Sequence, residues 1–402
     1  MQVLGKVRSS IDRQLERQPK EVIFCKKCVV SNQRPRIQFD GNGVCSACQY
    51  AYQKEYVIDW KERERELRDL CDRYRRLDGR YDVVVPASGG KDSGTVAHKL
   101  KHQYGMHPLT VTWAPFIYTQ IGWRNYQNFV KSGFTNIMGV ANGHLHRKLA
   151  RVAFEAVGDV FVPFIYGQTS YPFHIALQFD IKLVFFGENS EGEYGGDPGT
   201  LGLVGMPVEK WADQYYKGTT VEDLIEWGLE TGLLSKSDYD ESDLTFYKPP
   251  SAEVLRERDI QWHFFGYYHK WIPQECYYYA AEHNGFQANP DGRSEGTYSK
   301  YASLDDCLDG FHYYMGFIKF GIGRATSDAA HEVRDGHLTR SEAVQLVHRY
   351  DGEFPKKYLR ESLAYLDMTE EKMWEIVDQY RPPHLWQKVN GARQLKYKVS
   401  NL

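Results

Sequence analysis

Apolar residues along this chain change their spacing from one segment to the next. Between Gln53 and Leu77 the side chains Trp60, Leu67, Leu70, Cys71, Tyr74 and Leu77 recur every three or four residues among Arg and Glu, which predicts one amphipathic helix with a solvated charged face. Cys71 on its apolar stripe reads as a packed thiol. The next run, Asp82 to Pro86, has three consecutive valines and no helical period, so it predicts a buried strand. A Gly-rich turn and a helical pattern from Ser93 to about Tyr104 follow. Leu109 to Trp113, Thr135 to Val140 and Lys182 to Phe186 read as further strands, with helices over Ile121 to Lys131 and His144 to Val157. Strands alternating with helices imply βαβ units, hence an α/β fold with a doubly wound, mostly parallel sheet.

Outside this alternation the texture differs. Residues 1 to 20 are polar and are expected to fray. Gly187 to Gly205 is rich in Gly and acidic residues, and Lys236 to Pro250 is polar and ends in proline; both read as active-site loops or insertions. The last 150 residues read as mainly helical, with Thr339-x-x-Glu342 as a capping box before Ala343 to Tyr350. This divides the chain into an N-terminal segment with a cysteine knuckle (1–52), a linking helix (53–79), an α/β domain (80–325) and a helical C-terminal region (326–402).

Bulk properties narrow the partners. With 402 residues, 42% hydrophobic and 26% charged, the chain is globular, and 50 Lys and Arg against 53 Asp and Glu give no global positive field for nucleic acid. No run approaches the roughly 18 apolar residues that span a bilayer, and the opening MQVLGKVRSS lacks the apolar stretch of a signal peptide. A cytoplasmic protein without membrane or nucleic-acid partners is expected.

Two motifs carry chemistry. Cys25-x2-Cys28 and Cys45-x2-Cys48 have the spacing of a tetrahedral four-cysteine site. Four thiolates saturate Zn2+, so the expected role is structural, with an iron–sulfur cluster as the minority alternative. The second motif is Ser88-Gly89-Gly90-Lys91-Asp92-Ser93, set directly between a strand and a helix. Its glycines let backbone N–H groups close on an anion, the helix N-terminus adds partial positive charge, and the hydroxyls and Lys91 add donors. It differs from a Walker A loop because Asp92 follows Lys91. Glu188 and Asn189 directly follow an apolar strand, at the end where open α/β sheets bind ligands, and are assigned to substrate or Mg2+. Glu188 is suited to accept a proton at such a site; Glu191 and Glu193 are the other candidates. Lys319 and Arg324, in a Gly-flanked segment where backbone can approach a phosphate, are placed to neutralise phosphate charge, and Trp113 at the end of its strand is added to the same ligand site.

The hexapeptide 88–93 resembles the PP-loop of the N-type ATP pyrophosphatases. That resemblance implies a PP-loop fold in which ATP is cleaved to pyrophosphate while a substrate oxygen is adenylated, with Lys91, Asp92, Glu188, Asn189 and Arg324 catalytic. The stretches Gly187-Glu-Asn-Ser-Glu-Gly-Glu-Tyr-Gly-Gly196, Asn289 to Ser303 and Lys319 to Thr326 resemble the bacterial N-acetyl sugar amidotransferases. This implies conversion of a sugar N-acetyl group to an acetamidino group, on a lipopolysaccharide or O-antigen precursor that is nucleotide-linked or a nonulosonic acid, with ammonia from a separate glutaminase. Aromatic and His side chains suited to a sugar, namely Trp271, Tyr277 to Tyr279, Tyr298, Tyr301, His312, Tyr313 and Tyr314, are interleaved with polar groups. A built-in glutaminase is not expected: position 2 is Gln2, and Cys71, Cys276 and Cys307 lie in no nucleophile elbow. Amidation of a sugar carboxylate and tRNA thiolation are the rival enzyme readings, and a zinc-ribbon adaptor with a degenerate nucleotide fold is the non-enzymatic one.

Overall fold

The structure, a computed structural model, describes residues 10–401. Gln2 therefore lies outside the described residues. Three helices precede the sheet: α1 (Arg13–Glu16), α2 (Ser46–Tyr56) and α3 (Trp60–Tyr74). The α/β core then runs β1 (Val83–Pro86), α4 (Lys91–His102), β2 (Pro108–Trp113), α5 (Gln120–Lys131), β3 (Asn136–Gly139), α6 (Gly143–Val157), α7 (Val162–Gln178), β4 (Leu183–Phe186), the short helix α8 (Ser190–Tyr194) and, after a long excursion, β5 (Gln261–Phe264).

The five strands form one parallel sheet in the order β3-β2-β1-β4-β5. Strand order reverses between β1 and β4, which opens a crevice at their carboxyl ends. Side chains alternate across the sheet: Val83, Val85, Leu183 and Phe185 pack with Leu67, Cys71, Val96 and Leu100 on one face, while Val84 and Val184 pack with Leu149, Phe154 and Phe173 on the other. Both faces are covered, as a parallel sheet requires. No helix among the described residues is long and apolar enough to cross a membrane.

The structure corrects several expectations. The single helix over 53–77 is two helices, because the Asp59 carboxylate caps the backbone of Lys61 and Glu62 and so starts α3 afresh. Leu77 lies beyond it, 96% exposed. A boundary at 52/53 falls inside α2, which also carries Cys48. Residues 10–20 are tied down rather than frayed: Ser10 donates to the Ala156 carbonyl, and Asp12 is buried. The capping box at Thr339 and Glu342 forms with both its hydrogen bonds. The mainly helical C-terminal region ends in an antiparallel hairpin, Trp386–Val389 with Ala392–Leu395. Its turn residues Asn390 and Gly391 both have positive φ, the geometry an Asn-Gly turn supplies.

Candidate functional site

Loop 88–93 leaves β1 and enters α4 with Gly90 as the N-cap residue. Gly89 has φ +86°, and a Cβ there would stand 2.5 Å from the Cα of Tyr126 on α5, so the position admits only glycine without backbone movement. The Lys91 ammonium lies 2.5 Å from Asp92 Oδ2, while Asp92 Oδ1 is buried without a hydrogen-bond partner. Ser88 bonds to the Asp305 carboxylate. The loop thus offers free backbone donors at a helix N-terminus and one unsatisfied carboxylate oxygen.

Across the crevice, Glu188 leaves the end of β4. Burial, reinforced by the nearby Asp92 carboxylate, pushes its carboxyl up to about 7 from 4.5. Three other candidates from the same segment have different work. Asn189 caps α8, accepting from Glu191 N and donating to the Thr200 carbonyl, so both ends of its amide are occupied. Glu191 accepts from Arg36 Nε at 2.9 Å and its terminal nitrogen at 2.5 Å. Glu193 pairs with Lys54 at 2.6 Å, and His331 Nε2 lies 3.2 Å away without the angle for a hydrogen bond. Glu188 is therefore the acid of this segment left for chemistry. The orphaned, buried Asp92 oxygen fits a divalent cation such as Mg2+, which takes oxygen ligands.

Glu188 opens onto a cleft of about 470 Å³ whose walls include Arg34, Tyr194, Lys217, His312, Tyr313 and Arg324. Tyr313 and Arg324 also line a neighbouring cavity of about 250 Å³ that contains Asp306 and Asp309. Loop 88–93 lines neither cavity itself; it meets the larger cleft through Glu188, which lies near Asp92. Arg324 begins the helix Arg324–Arg334, bonds to Asp328 and to Ser303 Oγ, and stacks 4.4 Å from the Tyr313 ring centre. Lys319 reaches the cleft wall, but its ammonium is taken by buried Asp12 and the Val157 carbonyl, a neutral pairing that leaves little charge for a phosphate. Trp113 packs against Tyr171, His146 and Phe246 and lines neither cavity; its indole N–H is buried without a partner.

Among the proposed sugar-binding residues only His312 and Tyr313 line these cavities. Trp271 is core behind Gly187, Tyr277 stacks on Tyr301, Tyr279 packs on His98, Tyr298 bonds to Glu332, and Tyr314 packs on Phe354. Tyr278 is exposed. The cleft residues that the sequence reading missed are Arg34, Tyr194 and Lys217. The guanidinium of Arg34 makes no hydrogen bond or ion pair among the described residues and lies 5.7 Å from the Tyr194 ring centre. The one sequence sign of it is the Arg34-Pro35-Arg36 triplet between the cysteine pairs.

Cys25, Cys28, Cys45 and Cys48 are all buried, with their sulfurs within 4.8 Å of one another. The Cys25–Cys48 and Cys28–Cys45 sulfurs are 3.8 and 3.7 Å apart. A tetrahedron of sulfurs about 2.3 Å from one ion has edges of about 3.8 Å, so the set fits a structural metal such as zinc. Arg334 points at Cys28 Sγ from 4.0 Å, and Arg340 donates to the Cys25 and Cys28 carbonyls. The knuckle thereby shares a core with Ala329, Ala330 and Ala343 of the C-terminal helices.

Those C-terminal helices are where the chain is similar to a known family. No curated protein matches the chain. Residues 295–399, about a quarter of it, match the family model described as LPS biosynthesis protein WbpG-like, C-terminal domain. The match suggests a role in lipopolysaccharide biosynthesis, and the matched segment supplies Tyr313, Arg324 and Asp328 to the cleft and Arg334 to the cysteine knuckle.

Proposed function

We propose that this chain is an ATP-dependent amidotransferase that converts an N-acetyl group of a bacterial surface-polysaccharide sugar precursor into an acetamidino group. The observation that carries this reading is the pairing, across the β1/β4 crevice, of a glycine-rich loop at a helix N-terminus with a carboxyl held near neutrality. The loop and the α4 N-terminus bind the phosphates of ATP. The amide oxygen attacks the α-phosphorus, its bond to pyrophosphate breaks, and the adenylated amide forms. Ammonia then adds to the same carbon, and AMP departs carrying the former amide oxygen. Adenylation matters because an amide oxygen leaves poorly and AMP leaves well.

Each residue has a stated task. Loop N–H groups and Lys91 stabilise charge on the leaving pyrophosphate. Arg324, at the shared wall of the two cavities, offers hydrogen-bond donors to the sugar side, its charge being balanced by Asp328. Glu188 in its ionised form takes a proton from the tetrahedral intermediate formed when free ammonia adds, a role that suits an acid titrating near 7. Mg2+ held at the unpartnered Asp92 oxygen would neutralise phosphate charge. The unpaired Arg34 gives the cleft a counter-charge for an acidic or nucleotide-linked sugar. The same chemistry on a sugar carboxylate would give a primary amide.

The test is mass spectrometry of N-acetylated sugar precursors after incubation with the chain, ATP, Mg2+ and ammonium chloride. The expected product is lighter than the substrate by the difference between an oxygen atom and an NH group, with AMP formed in equal amount. Pyrophosphate release without any nitrogen gain by the sugar would reject the amidotransferase reading.

A further inference from the structure

The cysteine knuckle and the cleft are joined by one short segment. From Gly187 to Gly196 the chain passes from the end of β4, through Glu188, into α8 and on to Tyr194 on the cleft wall. Its far side rests on the N-terminal module. Gly192 faces the Tyr50 ring of α2, where a Cβ would come within 3.1 Å, and a Cβ on Gly195 would come within 2.9 Å of Ile37 and 3.2 Å of Ala47. A larger residue at either position would push the two apart.

Charge pairs reinforce this contact. Arg36, between the cysteine pairs, clamps Glu191 with two hydrogen bonds, and the same carboxylate accepts from Asp197 N at 2.7 Å. Lys54, at the end of the helix that carries Cys48, pairs with Glu193 at side-chain exposures of 4% and 3%. Arg334 completes the link from the other side, donating to the Glu193 carbonyl at 2.7 Å while pointing at Cys28 Sγ. These pairs are largely shielded from solvent, so removing one partner leaves a buried charge uncompensated and the segment must move to solvate it.

We infer that the cysteine knuckle positions the catalytic segment: Arg36 and Lys54 act as positioning residues that hold α8, and through it Glu188 and Tyr194, in the geometry of the cleft. The knuckle is then one wall of the active site, and its metal fixes that wall. This deepens, and for its catalytic part rests on, the amidotransferase reading.

Hydrogen–deuterium exchange on the full chain tests the positioning without needing any substrate. Stripping the metal with a chelator should raise exchange about tenfold in peptides covering both 24–48 and 188–196, while peptides covering β1 and β2 stay protected. Arg36→Ala and Lys54→Met, with metal still bound at one per chain, should raise exchange in 188–196 only, and Arg36→Lys should restore most of the protection. In AMP formation the first two variants should lose about tenfold in kcat with the KM for ATP changed less than about threefold. Unchanged exchange over 188–196 in the metal-free protein and in Arg36→Ala would overturn the inference. So would loss of β1 protection along with the knuckle, which would make the metal a general stabiliser. A wild-type chain that forms no AMP but shows the expected exchange pattern would reject the amidotransferase reading and leave the positioning intact.

Discussion

A carboxyl drawn out of water and set beside a second carboxylate holds its proton longer, and Glu188 is raised to about 7 for these reasons, burial first and Asp92 second. Its folded-state value lies above its ordinary 4.5, so its contribution to stability is fully present below about 4.5 and is lost as pH rises through 7. Glu188→Gln removes that loss. At pH 8 the variant should unfold later than wild type, by about 1–3 kcal/mol, and at pH 5 the gap should shrink; calorimetry at the two pH values checks this. The same variant should lose about a hundredfold or more in ammonia-dependent turnover. Lys91→Ala and Asp92→Ala are expected to abolish pyrophosphate release at little cost in stability, since both lie on a ligand loop; near-normal release in either would remove the loop from catalysis. At this scale the sequence made the loop and the cysteines legible, because short-range spacing carries their chemistry. It placed Glu188 first by its position at the strand end, but did not show that Glu191, Glu193 and Lys319 are taken by ion pairs, because Arg36, Lys54 and Asp12 lie more than a hundred residues away in sequence and no local pattern encodes such pairings.

Elements were legible where their period was clean. β1 to β4 and α4 to α6 fall within a few residues of the expected spans, and each has either an unbroken apolar run or a one-sided stripe. The 17-residue helix α7 gave no such sign: it is buried nearly all round and carries Pro172 in its interior, so neither a stripe nor a clean apolar run marks it. β5 is four residues long with one polar end, and pairing with β4 rather than its own sequence makes it a strand. The Asn390-Gly391 hairpin is a different case, since an Asn-Gly turn signal is present in the sequence between its two strands. Two tests belong here. One zinc per chain is expected by elemental analysis, and its removal should lower the unfolding temperature of the knuckle and the helices Arg324–Arg334 and Arg340–Tyr350 together, because they share one core. Iron with labile sulfide would refute the zinc assignment. Gly89→Ala must force its Cβ into the Tyr126 backbone from a left-handed φ, so it should destabilise by about 1–3 kcal/mol and weaken ATP binding, measured by chemical unfolding and equilibrium dialysis.

At the scale of the molecule, the cysteine knuckle packs on the C-terminal helices beside the cleft, and the proposed reaction requires a source of ammonia. Cys71, Cys276 and Cys307 are buried; burial raises the thiols of Cys71 and Cys307 to about 12 and that of Cys276 upward as well, so none is a thiolate at neutral pH. Free ammonia is scarce near neutrality, about 1% of the total if ammonium has a pKa near 9, which lowers the effective nucleophile concentration about a hundredfold, or about 2.7 kcal/mol. A separate glutaminase docked on this chain would avoid that loss by delivering ammonia unprotonated before water reaches the adenylated intermediate. The chain alone is therefore expected to form AMP with sugar and ammonium chloride but not with glutamine. Turnover with ammonium should climb with pH toward about 9, because both the free base and ionised Glu188 increase in that direction, and Glu188 saturates first, just above 7. With a glutaminase partner and glutamine the first of these two dependences disappears. The profile should then flatten above about 8 and keep only the inflection near 7 that belongs to Glu188. Measuring AMP formation against pH with each nitrogen source separates the two contributions. Efficient glutamine turnover by the chain alone, lost on replacing one of the three buried cysteines, would mean that a nucleophile is exposed by a motion this structure does not contain.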